Sequence, residues 1–375
     1  MKFCHILTES KFLNSQVHLY SHYFSNQEHE LCFLKGSNNP SSLRTDCTIP
    51  QNEYSIFRNR DIVNFPSFIL KLLKADYIIA HSLFFPDRVI RLLSYPLFRS
   101  KLIWIEWGGD LYNWDETIPK GLSRDVAQRI REKCYAFVAI FPPDIEYYKK
   151  VFPNSKALVF YAPYTGGYKP QISLKERYCL HEGCTHDITK PYRILVGHNG
   201  METLNHIAVL NLLKRFYHEN IELILSLSYG ASDHYIMEVE NTANRLFPDK
   251  VIILKHFMEK NLYFSIIDSV DIAIFMTNRQ CGLGNISQLL NMNKKLFISE
   301  DCPMYGFFRS KGFNISAVES ISEQHFDEFV STGKPLDREK IMAYFDELDH
   351  PNQRVEYWRK IYDKLKKEQS VRYRV

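Results

Sequence analysis

Nowhere in its 375 residues does the chain hold an apolar run near the roughly 18–20 residues a helix needs to cross a bilayer. Its first residues, MKFCHILTES, lack the long apolar core of a secretory signal. These two absences lead to the expectation of a cytoplasmic protein. Charge imbalance is missing too. Forty-seven Lys and Arg against 43 Asp and Glu leave a formal charge of only +4, too little to argue for nucleic-acid binding. There is no low-complexity tract or internal repeat, and 45% hydrophobic with 14% aromatic residues exclude a disordered chain. No disulfide framework is evident. The eight cysteines, at 4, 32, 47, 134, 179, 184, 281 and 302, fall mostly inside or beside apolar runs, as reduced core thiols do. Only CLHEGCTH, with Cys179, His181, Cys184 and His186, gathers four zinc-type ligands. Its compact spacing is not that of a common zinc motif, so the segment reads as an unmetallated linker.

What is present is a long series of β and α patterns. FCHILT (3–8), ELCFLKG (30–36), DYIIAHS (76–82), KLIWIEW (101–107), YAFVAIF (135–141) and KALVFYAP (156–163) are nearly continuous apolar runs, the mark of strands buried on both faces. Helical spacing separates most of them, as in 64–75 and 123–134, where Ser123 and Asp125 supply N-terminal capping chemistry. Polar, glycine- and proline-marked sequence at 166–190 reads as a linker. A second series follows, with strands at 192–197, 221–229, 251–255, 271–275 and 294–299 and helices between them. Repeated βα units predict parallel sheets covered on both faces. The expected organisation is therefore α/β: a doubly wound domain over 1–165, the linker, a second over 191–340, and C-terminal helices over 341–375 packing at the junction.

Ligands of such sheets bind beyond the carboxyl ends of the strands, so the loops leaving the strands hold the candidates. In LVGHNGMETLNH, Gly197 ends a strand and Gly200 permits close backbone approach, with Asn199, Asn205 and His206 as polar neighbours. Such a loop suits a phosphate at the following helix, and equally a capped turn. Tyr229, in SLSYGASDHY, could stack on a nucleobase or simply sit on the rim. In RQCGLGNIS, Gly282 and Gly284 lack the third glycine of a dinucleotide fingerprint, since position 287 is Ser, and they follow the fourth strand of their domain. Flanked by Arg279 and Gln280, this turn fits a diphosphate better. In the first domain, His81 and Asp110 follow strands where a group facing the ligand should stand, although either could serve structure alone; Glu106 is a weaker candidate. The stretch RVIRLLSYPLFRSK places Arg88, Arg91, Arg99 and Lys101 among apolar side chains, which suits an anionic membrane surface or an amphipathic helix on its own sheet.

Taken in order, WGGDLY, LVGHNGMETLNH, SYG, Tyr263 before DSVDIAIF, and RQCGLGNISQLL resemble the bacterial 4-acetamido-4,6-dideoxygalactose (Fuc4NAc) transferase family of enterobacterial common antigen synthesis, glycosyltransferase family 56. The resemblance implies a GT-B enzyme, with two Rossmann-like doubly wound domains facing across a cleft. It also implies a dTDP-sugar donor held mainly by the second domain, and a polyprenyl-diphosphate-linked glycan acceptor reached from the cytoplasmic face of the inner membrane. Residue by residue, Gly197, Asn199, Gly200, Asn205, His206, Tyr229, Arg279, Gln280, Gly282 and Gly284 match its donor loops, and His81, Gly108, Asp110, Leu111 and Tyr112 its first-domain motifs. His198 and Asn285 depart from the pattern, Asn285 standing in the donor loop where a hydroxyl-bearing residue is expected.

Glycosyl transfer then requires stabilising a departing nucleotide diphosphate, a task for Arg279 and the N–H groups of the glycine loops. With no DxD-like motif in a suitable context, no metal or other cofactor is expected. Deprotonating the acceptor hydroxyl needs a base, for which Asp110 and His81 are the candidates. Two other classes stay open: a transferase of a different sugar in O-antigen synthesis, and a non-catalytic nucleotide- or glycan-binding protein. A nucleotide-linked oxidoreductase would need the complete glycine fingerprint that is missing.

Overall fold

The computed structural model describes residues 1–8, 13–25, 28–35, 55–58, 65–163, 173–184, 186–350 and 352–372. Cys47, Gly36 and the Thr-Gly-Gly stretch at 165–167 lie outside the described residues. The chain divides into two units, Met1–Gly167 with Asn352–Val375, and Tyr168–Pro351.

The first unit is built on strands β1 (Phe3–Thr8), β2 (His29–Lys35), β3 (Ser55–Arg58), β4 (Tyr77–His81), β5 (Leu102–Ile105), β6 (Ala136–Ala139) and β7 (Leu158–Tyr161). They form one seven-stranded sheet in the order β3-β2-β1-β4-β5-β6-β7, parallel throughout. The second unit holds β8 (Tyr192–Val196), β9 (Ile221–Ser226), β10 (Val251–Leu254), β11 (Ile272–Phe275), β12 (Lys295–Ile298) and β13 (Ile315–Ala317). Their order is β10-β9-β8-β11-β12-β13, again parallel. Every residue of β4, β5, β6, β11 and β12 is buried, which is why these strands read as nearly continuous apolar runs.

Two strands went unread. The runs SIFR of β3 and ISA of β13 are too short to carry a period, and both lie at sheet edges. The expected linker also differs. Residues Leu174–His181 form a helix capped by Ser173, whose side chain accepts from Glu176 N. This helix is fixed within the second unit: Arg177 pairs with Asp268 at 2.8 Å, and Leu174 N and Lys175 N donate to Asp349 at 2.9 and 3.0 Å. Nearby, His181 Nδ1 donates to Arg177 O at 2.8 Å, while His186 stacks on Tyr192 with ring centroids 3.8 Å apart and Cys179 and Cys184 stay exposed. No group of three or more metal-ligating side chains converges among the described residues.

The C-terminal segment splits between the units. Helix Arg338–Asp349 belongs to the second, and helix Gln353–Arg372 to the first. There Trp358, Ile361, Tyr362 and Leu365 join Phe3, Leu31, Tyr77 and Ile79 in one apolar cluster on the first sheet. Among the described residues no helix is long and apolar enough to cross a membrane.

Candidate active site

Each sheet has a point where successive connections leave in opposite directions, between β1 and β4 and between β8 and β11. Beyond the carboxyl ends of the strands there, the loops part and open a crevice for a ligand.

In the second unit the loops after β8, β9 and β11 are tied together at this point. Gly200 N donates to Tyr229 O at 2.8 Å, and Asn205 Nδ2 to Met276 O at 3.0 Å. The third tie is steric. Gly282 has φ 64°, and a β-carbon there would stand 2.8 Å from the His198 ring, so only glycine lets the two loops approach this closely. Gly197 has φ 66°, and a β-carbon there would stand 2.8 Å from His206 Nε2. Gly284 differs, because a β-carbon there would meet nothing.

Several predicted donor residues thus shape the site from beneath. His206 is fully buried, bonded through Nδ1 to the Tyr235 hydroxyl at 3.2 Å, and burial lowers its pKa to about 4, so it stays a neutral support. Asn199 Oδ1 accepts from Met201 N at 3.0 Å and shapes the turn, while Asn205 takes the left-handed conformation at φ 50°. Tyr229 stands on the rim, 40% exposed, and Gln280 is buried.

Arg279 is the buried cation of these loops. Only 5% exposed, it has no acidic partner within ion-pair distance among the described residues. Nη2 reaches Met201 Sδ and Thr203 Oγ1, each at 3.4 Å, and Nε is buried without a hydrogen-bond partner. It stands in the loop that leads into helix Leu283–Asn291, whose N-cap is Gly282. Nearby, burial raises the pKa of the Tyr263 hydroxyl; Ser226 and Asn285 are near enough to oppose that rise, yet the hydroxyl makes no hydrogen bond of ordinary geometry. A buried cation, free N–H groups and a hydroxyl around one crevice form an anion-binding arrangement.

The first unit has a different character. His81 Nε2 is bonded to His5 Nδ1 at 3.0 Å and Nδ1 to Gln16 Nε2 at 3.2 Å, while His5 Nε2 meets His29 Nδ1 at 2.9 Å. Burial lowers the pKa of His81 to about 3, that of His29 to about 4, and that of His5 far below the usual range. Asp110 is fully buried, and its Oδ2 accepts from Leu83 N and Trp104 Nε1, both at 2.8 Å, and its Oδ1 from Trp107 N at 2.7 Å. Glu106 accepts from Gly108 N and Ile140 N, and Asp144 accepts from Tyr112 Oη at 2.6 Å. Burial, then the charges of Asp144 and Asp110, raises the Glu106 pKa well above normal; burial lifts Asp144 to about 6.

The basic patch is partly internal. Lys101 Nζ donates to the carbonyls of Leu72, Leu73 and Ala75 at 2.7, 3.2 and 2.7 Å, closing helix Phe65–Lys74. The Arg88 guanidinium lies 3.4 Å above the Phe65 ring, Arg91 pairs with Asp87 at 3.7 Å, and Arg99 Nη1 donates to Ser94 O at 3.3 Å.

Known structures share this fold. Over 98% of this chain and 99% of that one, the fold matches HepE of Anabaena, crystallised with UDP and glucose, at 10% identity and a TM-score of 0.62. A UDP-forming α,α-trehalose-phosphate synthase from Burkholderia vietnamiensis matches over 97% and 99%, at 9% identity and a TM-score of 0.61. A glycosyltransferase from Rickettsia africae ESF-5 matches over 97% and 98%, at 10% identity and a TM-score of 0.61. At such identities the likeness shows the fold, which is GT-B, two Rossmann-like units in one chain. The family model described as 4-alpha-L-fucosyltransferase, glycosyl transferase group 56, matches residues 63–363, and the chain belongs to this glycosyltransferase family, as its ordered loops led us to expect.

Proposed function

We propose that the protein transfers Fuc4NAc or a closely related deoxyamino sugar from a dTDP-sugar to a polyprenyl-diphosphate-linked oligosaccharide in bacterial surface-glycan synthesis. One observation carries the donor half: Arg279, buried at the switch point of the second sheet with no acidic partner among the described residues. A buried guanidinium lacking a counter-charge is costly, and a bound diphosphate supplies that charge.

In this reading Arg279 and the N–H groups at the start of helix Leu283–Asn291 hold the diphosphate. Gly284, where a β-carbon would meet nothing, leaves room for its close approach, Gly197, Gly200 and Gly282 let the surrounding loops pack tightly, Tyr229 faces the base, and Gln280, Asn285 and Tyr263 complete the polar wall. Asn199, Asn205 and His206 hold the loops. As the anomeric carbon–oxygen bond breaks, its electrons pass to the diphosphate; the acceptor hydroxyl bonds to the anomeric carbon, and its proton passes to a phosphate oxygen of the departing nucleoside diphosphate. Electrostatic preorganisation at the leaving group lowers the barrier. That the HepE structure holds UDP and glucose supports a nucleotide-sugar donor for this fold.

Calorimetry with a panel of dTDP- and UDP-sugars, followed by transfer to a lipid-linked acceptor, tests the proposal. Binding and transfer are expected with dTDP-deoxyamino sugars. Preference for a UDP-sugar would move the enzyme to another surface glycan, and binding without transfer to any acceptor would leave a non-catalytic protein.

We further propose attachment to the anionic cytoplasmic face of the inner membrane through Arg88, Arg91 and Arg99 with Tyr95 and Leu97, which are 63% and 60% exposed. Lys101, engaged with three carbonyls, contributes stability instead. Co-sedimentation should show vesicles containing phosphatidylglycerol retaining the protein, with Arg99→Glu or Leu97→Asp weakening retention by about fivefold or more. Equal retention by neutral vesicles would remove the electrostatic half of the argument.

A further inference from the structure

The Asp110 carboxylate ties two loops of the first unit together. Its main-chain donors, Leu83 N and Trp107 N, stand just past the carboxyl ends of β4 and β5, adjacent parallel strands, and β4 borders the switch point of the sheet. Between β4 and Leu83 lies Ser82, 2% exposed and held at φ 82°, a region that residues with a β-carbon rarely occupy. Three bonds surround this strained residue: Ser82 N donates to Ile105 O at 2.9 Å, Phe84 N to Ser82 Oγ at 3.3 Å, and Leu83 N to Asp110. Such strain persists only where its surroundings over-determine it, and it clusters where a ligand is handled.

The outcome of this construction is a pair of aromatic side chains at the ligand edge. Phe84 leaves the turn with 45% of its surface exposed. Trp107 lines a small cavity with Gln16, Tyr20, His81 and Trp358, and the Trp358 Nε1 is buried there without a hydrogen-bond partner. Core packing explains neither an exposed phenylalanine on an anchored turn nor the strain at Ser82.

We propose that Asp110 is a positioning residue, and that Phe84 and Trp107, set by it, form the contact for the apolar C–H surface of the acceptor. This rests on the glycosyltransferase reading and assigns the acceptor to the first unit. An Asp110 whose oxygens already accept three hydrogen bonds would have to surrender one to take a proton from substrate. Its conformational partner is Ser82, and this makes the two roles separable.

The experiment measures steady-state transfer, and direct calorimetric binding, of a diphosphate-linked disaccharide carrying either a methyl group or a farnesyl chain. Phe84→Ala should raise the acceptor KM and Kd by about tenfold, the worth of one aromatic contact, and shift donor KM little. Asp110→Asn should do likewise, since its amide sets N–H against N–H at Leu83 or Trp107. Adding Ser82→Gly to Asp110→Asn should restore much of the acceptor affinity, because glycine takes φ near 82° unaided. A penalty for Phe84→Ala with both acceptors identifies a sugar face, and one with the farnesyl compound alone identifies the lipid. If Asp110→Asn abolishes kcat at every pH with acceptor KM unchanged, and Ser82→Gly rescues nothing, Asp110 is the base and the proposal fails. Unchanged acceptor binding in Phe84→Ala also overturns it, and decides the matter should Asp110→Asn not fold. Binding is read without turnover, so absence of transfer by the wild type would count against the proposed reaction and leave this test intact.

Discussion

Arg279→Ala is expected to cut transfer by about 10²–10³-fold and weaken donor binding, while leaving the thermal midpoint of the free protein unchanged or higher. The two halves of this result come from one fact. Arg279 is 5% exposed, and its nearest polar contacts are the weak acceptors Met201 Sδ and Thr203 Oγ1 at 3.4 Å, with Nε unsatisfied. Without donor, the folded state keeps a guanidinium out of water with little in return, so removing it relieves a cost. With donor, the same group meets a diphosphate at short range in a site of low dielectric, where a charge-assisted bond is strongest. Arg177 is the natural control. Also buried, it pairs with Asp268 at 2.8 Å, and Arg177→Ala should lower the midpoint and leave donor binding alone. Kinetics, dTDP calorimetry and thermal melts on both variants check the contrast. A destabilised Arg279→Ala protein with wild-type donor affinity would make Arg279 a structural residue and remove the main support for the diphosphate site.

How much of this was legible in the sequence follows from what each feature depends on. Strands such as YIIAH and IAIF announce themselves because burial on both faces leaves them nearly all apolar, and these two flank the switch points. The glycine turn at 282–284 was visible as a turn, but its reason was not. Gly282 must be glycine because His198 lies against it, more than 80 residues earlier in the chain, whereas Gly284 meets nothing. Tyr263 could be placed in the ordered motif, yet its position near Ser226 and Asn285 is a tertiary fact. Asp110 does lie after β5, as the alternation of elements leads one to expect, whereas His81, expected just past its strand, is the last residue of β4 itself and pairs with Ile105. Their partners, Leu83, Trp104 and Trp107 for one and His5 and Gln16 for the other, come from packing that no local pattern encodes. The linker misled for a related reason. Its polar face is real, but Arg177 and Tyr178 turn inward and tie the helix to the second unit.

The buried histidine chain makes the first unit acid-sensitive, and stability should fall as the pH drops from 7 to 5. In the folded state His29 has a pKa of about 4, His81 about 3, and His5 one far below the usual range, all because burial disfavours the imidazolium. Unfolded, each returns to about 6.5. Between the two values the unfolded chain binds more protons, so stability is present above pH 6.5 and is lost as the pH falls towards the folded values. At pH 5 each histidine costs about 2 kcal/mol. Glu106 and Asp144 act in the opposite sense. Their raised pKa values let the folded state keep protons that the unfolded state releases, so acidification favours folding there. Asp110, also raised by burial, adds to that side. This opposition offsets the three histidines in part, which makes the difference between variants the sharper measurement. His29→Phe preserves the stacked contact with Phe3 and the edge-on contact with Tyr362, whose centroids both lie 4.7 Å from the His29 ring, and removes one of the three titrations. Losing the bond to His5 lowers its stability at pH 7, but its stability should fall by about 2 kcal/mol less than that of the wild type from pH 7 to 5. Urea unfolding of the full chain at half-unit pH intervals gives both slopes. Parallel curves would mean that His29 titrates alike in the folded and unfolded states, and that the chain of rings is not sealed from water.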